Sequence, residues 1–204
     1  MRHDGFVTAN SSETSEFKAA VRRSIRTARA VQAPFERAES GRAFAHGVME
    51  VLNTIRPTCV AAYFSTASEP STDELLDELW SRDIQVLTPK VEGNSLIWID
   101  TERSTPLEYG PYGIREAQSE LLVDLSQAQA ILIPALAIDP MGHRLGQGGG
   151  YYDRALSQFT SPPLLIAVVH DDEDQRDIPV ESHDARVDVV VTDSRVRYIT
   201  PKKM

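Results

Sequence analysis

The chain reads as an α/β protein, a three-layer α/β/α domain built around a largely parallel sheet. Three observations predict this. Apolar runs of strand length alternate with segments of helical periodicity, in the order αα, β, α, ββ, β, α, β, β. Two of the runs, from Ala130 to Ile138 and from Leu164 to Val169, are apolar nearly throughout, as a strand covered on both faces is. The first of them passes through a glycine-dense loop into a helix start at Tyr151, the connection expected of a βα unit. A length of 204 residues suits one such domain, over 15–204, behind a disordered amino-terminal tail, 1–14.

Taken in order, Phe17, Val21, Ile25 and Ala28 recur at helical spacing and predict a first helix with an apolar face on the core. Lys18, Arg22, Arg26 and Arg29 form a parallel basic stripe about 100° around the same helix. Like charges one turn apart repel by a few tenths of a kcal/mol per pair, so the stripe is either a solvated face or the seat of an anionic partner. Phe35, Ala38, Ala45, Val48, Met49 and Leu52 predict a structural helix from Pro34 to Leu52, with proline in its first turn. Cys59 to Phe64 has strand length, and Ser71 with Glu74 has the spacing of a capping box for the next helix. Glu69, between them, reads as an exposed loop carboxylate or as a ligand group at a strand's carboxyl end.

Ile84 to Thr88 predicts a strand, followed by a hairpin turning at Gly93 and Asn94 into a strand that carries Trp98. Residues 100–120 lack periodicity and read as a long functional loop. Asp139-Pro140-Met141-Gly142 suits a type I turn, which gives Asp139 a structural role. Val187 to Val191 is a further strand interrupted by Asp188, a carboxylate that needs a partner if buried. The acidic run from Asp171 to Asp174 reads as a solvated loop.

A net charge of -9 and a pI near 5.0 exclude nucleic-acid binding through bulk positive charge. The lone Cys59 predicts a small buried hydrophobe in a reducing compartment. No run approaches 18 apolar residues, so a cytoplasmic protein without membrane contact is expected. His3, His46, His143, His170 and His183 show no metal-ligand spacing, and a G-x-S-x-G elbow is absent.

Five of the 11 glycines (Gly142, Gly146, Gly148, Gly149, Gly150) fall in one loop. Such a backbone can take positive φ and turn several N–H groups onto one anion, with a helix start aimed at the same spot. Arg144 and Arg154 flank it, and Asp153 fits an anion site if Mg²⁺ bridges carboxylate and phosphate. Against this, glycine-rich turns are common in α/β proteins, and neither standard phosphate signature is present. A phosphate cradle and an ordinary turn both remain open on these grounds.

The run from Pro134 to Arg154, PALAIDPMGHRLGQGGGYYDR, resembles the signature of the 5-formyltetrahydrofolate cyclo-ligase family, also called 5,10-methenyltetrahydrofolate synthetases. Arg144-Leu145-Gly146, Gly148, Gly150, Tyr151, Tyr152 and Asp153 stand at that family's spacing, and the resemblance extends from about Lys18 to Asp193. It implies a monomeric enzyme that uses ATP to convert 5-formyltetrahydrofolate to 5,10-methenyltetrahydrofolate, with Mg²⁺ as cofactor. ATP would lie on Lys18, Arg22, Arg144, Leu145, Gly146, Gln147, Gly148, Gly149, Gly150, Tyr151 and Tyr152. Phe64, Glu69, Gln147, Gly148, Gly150 and Tyr151 would contact the folate, Asp153 and Asp188 would hold Mg²⁺, and Arg144, Tyr152 and Asp153 would be catalytic. Arg26, one turn beyond Arg22, serves as the solvated reference position. Gly149 stands where some relatives carry Lys, and Ala117 stands where the family often has proline. Two other classes compete: a folate-binding module without turnover, which the intact Lys18, Arg22, Arg144, Asp153 and Asp188 disfavour, and an ATP-dependent enzyme on another N-formyl substrate, which Glu69 and the tyrosine pair disfavour.

Overall fold

Five parallel strands form the centre of the molecule, and the Glu69 loop leaves the carboxyl end of one of them. The structure, a computed structural model, describes residues 11–179 and 185–199, except the side chains of Ser11, Ser12 and Tyr112. In chain order it runs α1 (Ser11–Ala30), α2 (Pro34–Ile55), β1 (Cys59–Ala61), α3 (Asp73–Ser81), β2 (Gln85–Glu92), β3 (Ser95–Asp100), β4 (Leu107–Tyr109), β5 (Arg115–Ala117), β6 (Ala130–Pro134), β7 (Ala137–Ile138), β8 (Arg144–Leu145), α4 (Tyr151–Leu156), β9 (Leu164–Val168), β10 (Val189–Val191) and β11 (Val196–Tyr198). The main sheet has the order β11-β10-β9-β6-β1-β2-β3. Its five inner strands are parallel, and β3 and β11 close the two edges antiparallel. Strands buried on both faces carry little but apolar residues, as β6 and β9 do.

One face packs against α2 and α3 through Phe44, Val48, Leu52, Leu75, Leu76 and Leu79. The other is covered by α4 and the β7–β8 hairpin, with Ile131, Ile133, Ile138, Leu156, Val187 and Val190 at its centre. These are the expected three layers. Cys59 is buried here, and desolvation, reinforced by Asp100, pushes its thiol up to about 11, so it packs as a hydrophobe and offers no thiolate.

Several expectations need correction. Helix α1 begins at Ser11, so residues 11–14 belong to it; residues 1–10 and His183 lie outside the described part. Its buried line is Lys18, Ile25 and Arg29, whereas Phe17 is 50% exposed and Ala28 is exposed. The helix turns its basic stripe inward because that stripe finds carbonyl and carboxylate partners there, which a hydrophobic pattern cannot anticipate. Phe35 is likewise 70% exposed on α2. Thr72 holds the N-cap position of helix α3, one residue after the Ser71 expected, but makes no side-chain cap: its Oγ1 donates to the Tyr63 carbonyl at 2.6 Å and its N donates to Ser65 Oγ at 3.2 Å. The stretch 100–120 contains the β4–β5 hairpin, with strands too short to show a period, and the buried Glu116 accepts from Val91 N at 3.0 Å. The acidic run 171–174 is solvated only in its first half: Asp171 and Asp172 are exposed, whereas Glu173 and Asp174 are buried, Glu173 on Arg29 and Asp174 on Arg195 and Arg197. The Gly93–Asn94 turn between β2 and β3 and the Asp139 turn, closed by Gly142 N on Asp139 O at 3.1 Å, form as read.

The seam between α1 and the sheet is an ion pair. Arg29 Nε and Nη2 each donate to Glu173 at 2.7 Å, with both side chains buried, and the guanidinium also donates to Ala135 O at 3.0 Å and Ser68 O at 3.2 Å. Charge buried in this way is tolerated because the guanidinium makes four hydrogen bonds, two of them to the carboxylate; removing one partner strands the other. Arg29→Ala should therefore lower unfolding stability by about 3–5 kcal/mol in denaturant titrations. A loss under about 1 kcal/mol would show that α1 docks through Ile25 and its apolar neighbours instead.

Candidate functional site

Strand β6 leaves the sheet at Pro134, turns through β7 and β8, and delivers the loop 146–150 to the amino end of α4. Gly148 (φ +103) and Gly150 (φ +66, the α4 N-cap) hold backbone shapes that L side chains rarely adopt. Arg22 Nε donates to Gly146 O at 2.9 Å, and Arg26 donates to Gln147 O at 3.2 Å and to Gln147 Oε1 at 2.6 and 3.0 Å. In a trans peptide the following N–H points opposite to the carbonyl, so these bonds turn the amides of Gln147 and Gly148 away from α1. The N–H groups of residues 147–150 meet no acceptor among the described residues. They form a row of free donors beside a cationic helix, which is what an anion cradle requires.

Lys18, one turn before Arg22 on the same line, is buried to 6% exposure. The Arg26 position, expected to be a solvated reference, is instead a direct support of the loop. Arg154, expected as a cradle charge, does flank the loop: a Cβ on Gly150 would come within 2.7 Å of its Nη1, while Nε donates to Asn94 O at 2.8 Å and the guanidinium lies 4.9 Å from the Tyr151 ring. A Cβ on Gly149 would come within 2.9 Å of that ring, so Tyr151 occupies the space beside Gly149.

Behind the loop lies a second, less exposed group. Arg144 Nη2 donates to Asp153 Oδ1 at 2.6 Å, and its guanidinium stands 6.0 Å from the Tyr152 ring, which meets Trp98 edge-on at 6.2 Å. Gly146 is needed at this point, since a Cβ there would sit 2.7 Å from Arg144 Nη1. Burial, with the Glu69 carboxylate nearby, pushes the Tyr152 phenol far above its ordinary value, so it stays protonated. Glu69 Oε2 accepts from Thr66 N at 2.9 Å and Thr66 Oγ1 at 3.0 Å, leaving Oε1 without a partner among the described residues.

Three arginines from separate elements pin that Glu69 loop. Arg29 takes Ser68 O, Arg37 takes Thr66 O and Glu69 O, and Arg115 takes Ser65 O at 3.4 Å while lying 5.3 Å over the Phe64 ring. Phe64 itself packs with the α2–α3 layer, whereas Tyr152 packs on the opposite face. Arg37 and Arg115 carry no pattern in the sequence, because they bond main-chain carbonyls that any residue presents; Arg26 and Arg29 were visible only as members of the stripe.

Asp188 closes the start of β10, taking Leu165 N on Oδ2 at 2.9 Å. Asp153 approaches the same segment, with Ala185 N 3.5 Å from Oδ1. Each carboxylate keeps one oxygen that is unpaired among the described residues. No group of three or more His, Cys, Asp and Glu side chains is gathered for a metal among those residues.

Over residues 14–193 the chain matches the model of a family described as the 5-formyltetrahydrofolate cyclo-ligase family. A 5-formyltetrahydrofolate cyclo-ligase of Mycolicibacterium smegmatis is 38% identical over 148 residues, spanning 67% of this chain and 74% of that protein. One from Escherichia coli is 30% identical over 182 residues, spanning 84% and 98%. The NMR structure of Aquifex aeolicus 5,10-methenyltetrahydrofolate synthetase superposes with a TM-score of 0.80 at 26% identity, covering 92% of this chain and 95% of that one.

The loop geometry makes a prediction of its own. Titration with inorganic tripolyphosphate should show binding that weakens about tenfold in Arg26→Ala, the loss of roughly one charge-assisted hydrogen bond's worth of loop order. Undiminished binding would make Arg26 an incidental contact.

Proposed function

Because the chain belongs to the 5-formyltetrahydrofolate cyclo-ligase family, we propose that this site carries the family's reaction: 5-formyltetrahydrofolate and ATP give 5,10-methenyltetrahydrofolate, ADP and phosphate. The observation that carries the reading is the junction of two half-sites. A row of free amides under Arg22 and Arg26 abuts a buried polar group of Arg144, Tyr152 and Glu69. One half suits a polyphosphate and the other a planar, hydrogen-bonding heterocycle.

The chemistry explains why both are needed. An amide oxygen is a very poor leaving group, so the formyl oxygen first takes the γ-phosphoryl group of ATP. N10 then attacks the formyl carbon, and the oxygen departs with phosphate. Little covalent work falls to the protein; positioning and charge neutralisation do the rest. Lys18, Arg22 and the amides of residues 147–150 would hold the phosphates. Arg144, fixed by Asp153 at 2.6 Å, would face the oxygen that accumulates charge. Tyr152, kept protonated, would offer a neutral donor beside it.

Mg²⁺ fits the pair Asp153 and Asp188, since magnesium is typically held by one or two carboxylates together with substrate phosphate oxygens. Bound there, it would neutralise phosphate charge. We place the reaction in the cytoplasm, a reading supported by the net charge of -9 and the buried lone thiol; among the described residues no helix is long and apolar enough to cross a membrane.

Asp153→Asn keeps size and removes charge, so turnover should fall by orders of magnitude while the melting temperature drops only modestly; near-normal rates in a folded variant would remove Asp153 from the phosphate site. Glu69→Gln should weaken 5-formyltetrahydrofolate binding about tenfold and leave Mg-ATP binding unchanged. Because Glu69 Oε2 also holds Thr66, this variant should lose thermal stability too, contrary to the simple expectation for a loop carboxylate. Equal folate affinity in both proteins would return Glu69 to a purely structural role.

A further inference from the structure

One buried polar group has no part in the reaction as described: the Tyr63 hydroxyl. Tyr63 follows β1 at its carboxyl end, is 4% exposed, and its hydroxyl meets no hydrogen-bond partner. Among the described residues, three buried side-chain polar atoms lack a partner: Tyr63 Oη, Tyr152 Oη and Arg144 Nε. They are not scattered. Arg144 stands over Tyr152, and Tyr63 and Tyr152 each lie within electrostatic reach of Glu69 and of one another. Tyr63 packs with the α2–α3 layer and Tyr152 on the opposite face, so the Glu69 carboxylate is what the two hydroxyls share. Native proteins pair nearly all their buried polar groups, so orphans grouped around one carboxylate point to a ligand that supplies the missing partners.

The framework holds Tyr63 in this position. Thr72 Oγ1 donates to its carbonyl at 2.6 Å, and the loop after it is pinned by Arg29, Arg37 and Arg115. Burial first, and the Glu69 charge second, push its phenol well above the ordinary value, so the group is a standing O–H donor. Within electrostatic reach of it, Glu69 Oε1 is a standing acceptor, since Oε2 is occupied by Thr66. A reduced pterin presents the complementary edge: amino and ring N–H donors, with the C4 carbonyl oxygen adjacent to the ring N–H.

We propose that Tyr63 is a specificity-determining residue for the folate, its O–H donating to the pterin C4 carbonyl while Glu69 Oε1 accepts from the neighbouring ring N–H. The proposal rests on the folate reading of the site. It also explains why a tyrosine stands where phenylalanine would pack equally well: the hydroxyl is an unpaid structural cost until substrate arrives.

The test is Tyr63→Phe, which deletes the hydroxyl alone. Three measurements are made on both proteins: the melting temperature without ligand, the affinities for 5-formyltetrahydrofolate and unformylated tetrahydrofolate, and the affinity for Mg-ATP. The expected result is an unchanged or raised melting temperature, a five- to tenfold weakening for both folates, and no change for Mg-ATP. Unchanged folate affinity overturns the proposal. A melting temperature lower by several degrees also overturns it, since the hydroxyl would then be structural. Weakening confined to the formylated compound overturns the C4 assignment in favour of the formyl oxygen. Failure of the underlying reading looks different, because wild type would then bind neither folate.

Discussion

The arrangement depends on the buried pair Arg29–Glu173. Through one guanidinium it joins α1 to the segment after β9 (Glu173), to the end of β6 (Ala135) and to the Glu69 loop (Ser68). Glu173 Oε2 also takes His170 N at 2.8 Å, so the carboxylate organises its own turn as well as the helix. A pair so buried contributes little net stability, because desolvation offsets the attraction. Its value is orientation: it sets the rotation of α1 about its axis, and this rotation brings Arg22 and Arg26 onto the carbonyls of Gly146 and Gln147.

From that seam the two halves of the site differ in how they are held. The half proposed for phosphate is a backbone device, in which helix cations hold carbonyls and the following amides are left open. Glycines are present at Gly148 and Gly150 for conformation and at Gly146 for the close approach of Arg144. The half proposed for the folate is a side-chain device, in which arginines pin the loop that carries Glu69. Cationic residues do the holding on both sides, in a chain whose net charge is negative. Local chemistry, and not overall charge, decides what such a surface binds.

Orphaned donors are what the proposed function would satisfy. Residues 147–150 leave amides open at the surface, and Tyr63, Tyr152 and Arg144 leave polar atoms open inside. Elsewhere buried charge is satisfied, as at Asp174 with Arg195 and Arg197 and at Glu116 with Val91 N. The contrast places the unsatisfied groups where an anion and a heterocycle would satisfy them.

The sequence by itself determined the layers, the parallel centre, the Gly93–Asn94 hairpin, the Asp139 turn and the glycine-rich loop before α4. These depend on local composition: apolar runs long enough to be covered on both faces, turn residues at set offsets, and glycines concentrated in one place. Only the tertiary structure decided which face of α1 is buried, because Arg26 and Gln147 are 121 residues apart and Arg29 and Glu173 are 144 apart. Hydrophobic periodicity ranks Phe17 above Lys18, yet a cation with acceptors aimed at it can be buried while an aromatic ring without a neighbouring surface stays outside. The same holds for Thr72 in place of Ser71 at the N-cap position, for Arg37 and Arg115 on main-chain carbonyls, and for the Tyr63 hydroxyl. A hydrogen bond depends on where its partner lies in space, and that position exists only once distant segments have packed.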